Sequence, residues 1–132
     1  MVMADSSVWV DFFRGIPRPP VLVLKQIRKT DELLLGDLIL AEVQQGITNR
    51  KDFDLVRFVF DQLECRALGG WEVAMDASDN YQYLRKKGFM IRSTIDMIIG
   101  TYCIRNKILL LHNDRDFDPM EKHLGLRVVH GK

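Results

Sequence analysis

The chain has 132 residues, 47% hydrophobic and 28% charged, and 19 Lys and Arg against 18 Asp and Glu leave a net charge of +1. That length suits a single domain over residues 1–132 with a core of its own, and the composition excludes a disordered or low-complexity chain. Near-neutral charge leaves nucleic-acid binding open, but only through a local electrostatic footprint.

Taken in order, short apolar runs alternate with amphipathic stretches. Val2 to Ala4 reads as a strand ending at Asp5, and Ser6 to Phe13 as a helix closed by Gly15 and the prolines at 17, 19 and 20. Pro20 to Lys29 resumes as a helix, and Leu33 to Leu35 is a second strand. Asp37 is placed to cap a helix over Leu38 to Ile47, and Phe53 to Leu63 carries a further apolar face. Cys65 to Leu68 is a third strand, broken by Gly69 and Gly70, and Trp71 to Lys87 is a long helix ended by Gly88. Ser93 to Asn106 is a helix apolar on most sides, and Ile108 to Leu111 is a continuous apolar run that suits a strand buried on both faces. Phe117 to Leu124 is a short helix and Arg127 to Val129 a last strand. Strands alternating with helices imply a parallel sheet covered on both faces, so the expected fold is a three-layer α/β/α sandwich with about five strands.

Cys65 and Cys103 have no CxxC spacing and no histidine-rich company, so both are expected to be small buried hydrophobes rather than zinc ligands. No run approaches the roughly 18 apolar residues of a membrane span, and MVMADSSVWV lacks the basic and apolar segments of a signal peptide. A cytoplasmic protein without membrane attachment is the expectation.

In parallel sheets, sites form beyond the carboxyl ends of the strands. Asp5 follows the first strand there, Glu42 lies on the helix after the second, and His112-Asn113-Asp114-Arg115-Asp116 follows the ILLL strand. Asp96 is in the first turn of the helix leading into that strand. Each acid has a plainer use, for Glu42 that of a solvated turn of helix. Asp5 can be an N-cap, unless Ser6 or Ser7 takes that place; Asp96, three residues after Ser93, can complete a capping box. Asp114 and Asp116 can serve turn chemistry. Glu42 shares a helical face with Gly46, four residues on, as though a ligand approached a bare patch of backbone. Should the acids converge, carboxylates about 4 Å apart repel by about 4 kcal/mol at an effective dielectric of about 20. Such a cluster takes up protons or binds a cation, and oxygen donors favour Mg²⁺ or Mn²⁺ over zinc.

Four pieces in this order, MADSSVWV at 3–10, AEVQQG at 41–46, TIDMIIG at 94–100 and LLHNDRDF at 110–117, resemble PIN-domain proteins, specifically VapC-type toxins. The resemblance spans essentially the whole chain. It implies that Asp5, Glu42 and Asp96 take the first three acidic positions, with Asn113, Asp114 and Asp116 competing for the fourth and the two aspartates favoured jointly. It implies that Ser6 and Thr94 supply hydroxyls that hydrogen-bond the acids. The activity implied is Mg²⁺-dependent hydrolysis of RNA phosphodiester bonds, Mn²⁺ substituting. The partners implied are an RNA substrate, a VapB-type antitoxin and a second copy of the chain in a homodimer. RNA reaching an acidic pocket calls for basic residues at its rim, for which Arg14, Arg18, Arg92 and Arg115 stand in the right segments, with Arg85, Lys86 and Lys87 further out. Trp9, Phe12, Phe13, Val21 and Leu24 can form a groove for a partner or part of the core.

Three other readings compete. A receiver-like regulatory domain has the same layering, but wants a lysine just after a late strand, and a phosphoaspartate phosphatase wants Asp-x-Asp after the first; Asp5 is followed by Ser6 and Ser7. A PIN fold used for binding alone gains ground if Asn113 holds the fourth position.

Overall fold

The computed structural model describes residues 1–130. Four short strands, β1 (Val2–Ala4), β2 (Leu33–Gly36), β3 (Glu64–Arg66) and β4 (Leu109–Leu111), form one parallel sheet in the order β3-β2-β1-β4. The helices are α1 (Ser6–Arg14) and α2 (Pro19–Ile27), α3 (Asp37–Gln45) and α4 (Arg50–Phe60), α5 (Trp71–Lys86) and α6 (Thr94–Asn106), and α7 (Asp118–Leu124). A helix pair therefore fills each crossover. A 3-10 turn, Arg115–Phe117, leads into α7. This is the expected α/β/α layering, with four strands in place of five. The segment 127–129 reaches Leu110 by a single parallel bridge, made by the Leu110 amide to the Arg127 carbonyl and the Val129 amide to the Leu110 carbonyl, both 2.9 Å. No ladder extends beyond it.

The strands are apolar because they are covered on both sides. Met3, Ala4, Leu34, Leu35, Leu110 and Leu111 are all essentially inaccessible. β3, at the edge, carries the exception: Glu64 and Cys65 are exposed, so the expectation of a buried cysteine holds for Cys103 and fails for Cys65. Of the groove candidates, Trp9, Val21 and Leu24 are buried core residues. Trp9 packs against Phe12, Phe13 and Phe60 at centroid distances of 5.6, 5.7 and 5.0 Å.

Local chemistry accounts for the boundaries that differ from the sequence reading. α4 starts at Arg50, three residues early, because the Asn49 side chain accepts the Asp52 amide at 2.9 Å. α3 is not capped by Asp37; Gly36 takes that place, and Asp37 Oδ1 accepts the amides of Leu38 at 2.8 Å and Leu68 at 3.1 Å. α3 also stops at Gln45, so Gly46 is its C-cap rather than an interior residue.

The topology positions the site. From β1 the chain steps outward through β2 to β3, then crosses back to lay β4 on the other side of β1. The order reverses between β1 and β4, which is where open parallel sheets form a crevice. The register pairs Ala4 with Leu111, and the Asp5 amide donates to the Leu111 carbonyl at 2.9 Å. Asp5 and the 112–116 loop thus leave the sheet side by side.

At the neighbouring strand end, a Cβ on Gly36 would collide with the buried Leu68 side chain. Gly36→Ala is expected to destabilise by about 1–3 kcal/mol through overpacking. Introduced into Leu68→Ala it should cost less, and a double-mutant cycle by urea unfolding measures that coupling.

Candidate metal centre

Asp5 serves two purposes at once. It is the N-cap of α1, and the amide and hydroxyl of Ser7 donate to its Oδ2 at 3.1 and 2.8 Å. Its other oxygen, Oδ1, is buried without a hydrogen-bond partner. The choice between cap and site posed by the sequence is therefore no choice: one oxygen holds the helix and the other is left without a partner. Burial pushes its carboxyl above the usual carboxylate range, against the opposing pull of the Ser7 and Ser6 hydrogen bonds.

Glu42, half-buried on α3, also leaves a buried oxygen, Oε1, unpartnered. Burial and then the charge of Asp5 raise its carboxyl, with the Ser6 hydroxyl pulling the other way. The face it shares with Gly46 has a different cause from the one the sequence suggested. A Cβ at Gly46 would meet only the Val43 carbonyl, at 3.7 Å, so no close approach requires glycine there.

Asp96 is buried in the first turn of α6. Ser93 caps that helix by accepting the Asp96 amide at 3.2 Å, which is one half of a capping box. The carboxylate itself joins the other acids. Burial, followed by the charges of Asp5, Asp114, Glu42 and Asp116, raises it to about 7.

In the loop after β4, the Asp114 amide donates to Nδ1 of His112 at 3.2 Å, and Asp114 Oδ1 accepts the Asp116 amide at 2.9 Å. Asn113 lines the same cleft and bonds toward α1. Its amide donates to Ser7 Oγ at 3.0 Å and its side chain lies 3.5 Å from Asp11 Oδ2.

Asp5, Glu42 and Asp96 bring one carboxylate oxygen each within 4.8 Å of one another, and so do Asp96, Asp114 and Asp116. The two groups share Asp96. All five predicted acids are therefore brought together. The donors are oxygens alone, and two of them are buried with nothing to bind. Such a set fits a hard divalent cation, which would offset both the repulsion and the cost of the orphaned oxygens.

The remaining predicted residues divide. Ser6 lines the acid cleft, an open space of about 460 Å³. Thr94 lines a neighbouring cleft with Tyr81 and Arg92, and no hydrogen bond links it to an acid among the described residues. Arg14 lies in the groove on the far side of Glu42. Among the described residues Arg115 forms no ion pair with its flanking aspartates. Sequence reasoning missed Asp11, which is buried and paired with Arg18 Nη1 at 2.8 Å. The signal was there: like Asp96, it is an acid set between apolar neighbours, Val10 and Phe12.

Fold and site together define an α/β/α protein with a cluster of carboxylates, able to hold a cation, at the switch point of its sheet. A family profile described as PIN domain matches residues 2–122, and the chain belongs to that family. It is similar to ribonuclease VapC11 of Mycobacterium tuberculosis, 21% identical over 131 residues that cover 98% of each chain. Two solved structures share the fold. One is the crystal structure of VapBC2 from Rickettsia felis bound to a DNA fragment from the promoter, with a TM-score of 0.72, 18% identity and complete coverage of both chains. The other is that of DNA-bound VapBC from Salmonella typhimurium, with a TM-score of 0.75, 14% identity, and coverage of 97% of this chain and 96% of that one.

The raised Asp96 sets a pH dependence. Its folded-state value of about 7 exceeds the ordinary 3.8, so the metal-free fold binds the extra proton and loses stability as pH rises toward 7. Asp96→Asn removes the charge and keeps the backbone bond to Ser93. In metal-free protein at pH 8 the variant should be more stable than the wild type by about 1–2 kcal/mol. That gain should vanish near pH 4, and thermal melting across the pH range checks the sign.

Proposed function

We propose that this chain is a Mg²⁺-dependent endoribonuclease, active also with Mn²⁺, and the toxin of a toxin–antitoxin pair. The observation that carries the reading is the pair of carboxylate groups sharing Asp96, with Asp5 Oδ1 and Glu42 Oε1 buried and unpartnered. The sequence similarity to a protein named a ribonuclease, across 98% of the chain, supports the reaction class. Asp5 and Asp96 are the principal ligands, and Asp114 and Asp116 complete the set. A bound divalent ion supplies a Lewis acid that activates water and neutralises charge on the leaving oxygen.

The chain's own residues do the rest. Ser7 fixes the rotamer of Asp5 through two hydrogen bonds to one oxygen, so the other keeps its direction. Ser93 anchors the backbone of Asp96 in the same way. Glu42, on the cleft side of α3, orients the attacking water and accepts its proton. The Asn113 amide on Ser7 ties the loop bearing Asp114 and Asp116 to α1. The protein works in the cytoplasm as a homodimer and is held in check by a VapB-type antitoxin; both structural relatives above come from VapBC assemblies. No helix among the described residues is long and apolar enough to cross a membrane. The binding-only alternative rests on Asn113 holding the fourth acidic position, and the grouping of Asp114 and Asp116 with Asp96 tells against it.

Purified protein, freed of any antitoxin, is to be incubated with total bacterial RNA and Mg²⁺ or Mn²⁺, and the new 5′ ends sequenced. Discrete, metal-dependent cuts are expected, reduced about a hundredfold or more in folded Asp5→Asn and Asp96→Asn. Wild-type protein that neither cuts RNA nor binds Mn²⁺ overturns the reading.

A further inference from the structure

An RNA backbone entering this cleft carries the same sign of charge as its carboxylates and is repelled by them. Some cation must receive the phosphate. The sequence offers four arginines for that purpose, and among the described residues Arg18 is the one that lines the cleft with Asp5, Glu42, Asp96 and Asp114. Arg14 and Arg92 line other hollows.

Arg18 is held as a mobile surface arginine is not. It stands between Pro17 and Pro19, in extended backbone at φ −78° and ψ 154°, as the N-cap residue of α2. Both prolines narrow what that backbone can do. Its Nη1 is anchored at 2.8 Å to Oδ2 of Asp11, a carboxylate only 6% exposed. The Arg18 side chain is 54% exposed, so the guanidinium keeps N–H groups facing solvent after that bond is made. Asn113 approaches the same Asp11 oxygen, donates through its amide to Ser7, and Ser7 donates to Asp5. A continuous chain of polar contacts thus fixes the guanidinium relative to Asp5. A salt bridge that served only to close the α1–α2 turn would need neither the open face of the fork nor a place in this cleft.

We infer that Arg18 receives a phosphate of the RNA strand at the mouth of the acid cleft, and that buried Asp11 is its positioning residue. The inference rests on the nuclease reading above and names how that site takes hold of its substrate. The forked guanidinium suits a phosphate, to which it presents paired donors.

The test uses a labelled random-sequence single-stranded RNA, titrated into the cleavage-silent Asp96→Asn protein across a salt series. Adding Arg18→Ala should weaken binding about fivefold and flatten the slope of log affinity against log salt by about 0.7, the loss of one phosphate contact. Arg18→Lys should restore the slope and part of the affinity. Asp11→Asn should weaken binding with the slope intact, because the charge stays and its anchor goes. In cleavage by otherwise wild-type protein, Arg18→Ala should raise KM more than it lowers kcat. Should Arg18→Ala fail to fold with Asp11 left unpaired, the double variant Asp11→Asn, Arg18→Ala removes the buried charge with its partner and carries the same salt test. Unchanged affinity and slope, with wild type still cutting RNA, reduces the pair to a structural brace and leaves the nuclease reading standing. Wild type that neither binds nor cuts RNA removes both.

Discussion

Mutual repulsion among carboxylates is the constraint around which this protein is arranged. Five acids from four separate segments gather in two groups that share Asp96, each group of three within 4.8 Å, at the end of a sheet whose central strands are wholly apolar. Water would relieve the charge, but Asp5 and Asp96 are buried. Three of the acids are tied to the fold by a bond that leaves at least one carboxylate oxygen unused. Asp5 spends Oδ2 on the helix it starts, Asp96 contributes its amide to a serine cap, and Asp114 spends Oδ1 on the turn it starts. Capping thus leaves other oxygens of the same residues available to a cation.

This division explains why the site could be read in the sequence although every member had a plainer explanation. The expected sites for caps, just past strand ends and in first turns, are also the expected sites for chemistry in a parallel sheet. Residue by residue the two uses compete, and only their recurrence along one edge separates them. The same logic missed Asp11, because it lies in the second turn of α1, away from any strand end. Its apolar neighbours Val10 and Phe12 mark it in the sequence, but its partner Arg18, seven residues on and across a proline turn, is settled only by the tertiary fold.

The elements that sequence reading located best were those with one dominant cause: the apolar runs of β1, β2 and β4, and the helices α1, α5 and α6. The errors arose where a neighbour decided. The Asn49 side chain recruits a further turn to α4 that has no apolar periodicity of its own. Gly46 ends α3, so its spacing from Glu42, read as a face for a ligand, is the spacing of a residue from its helix end. The segment 127–129 has the composition of a strand, yet it bonds the sheet only at Leu110. Thr94 and Ser93 are adjacent, and which hydroxyl serves the acid depends on where the helix starts; Ser93, the cap, lines the acid cleft.

The cluster also orders the costs of the fold. A buried unpaired carboxylate oxygen is expensive, and Asp5 and Glu42 each carry one. The metal-free protein bears that cost directly, and proton uptake at Asp96, near neutral pH, is one way of lowering it. A divalent cation is another, and it competes with the proton for the same oxygens. Arg18 stands outside this exchange, because its charge is already matched by Asp11. A cation drawn fully into the acids would collapse onto them and be lost to a substrate. One held back by its own buried carboxylate stays at the rim, with donors free for an incoming anion. Two buried acids at α1, its N-cap Asp5 and Asp11 in its second turn, thus stand differently toward positive charge: Asp5 has an unpartnered oxygen in the acid cluster, and Asp11 is already paired with Arg18.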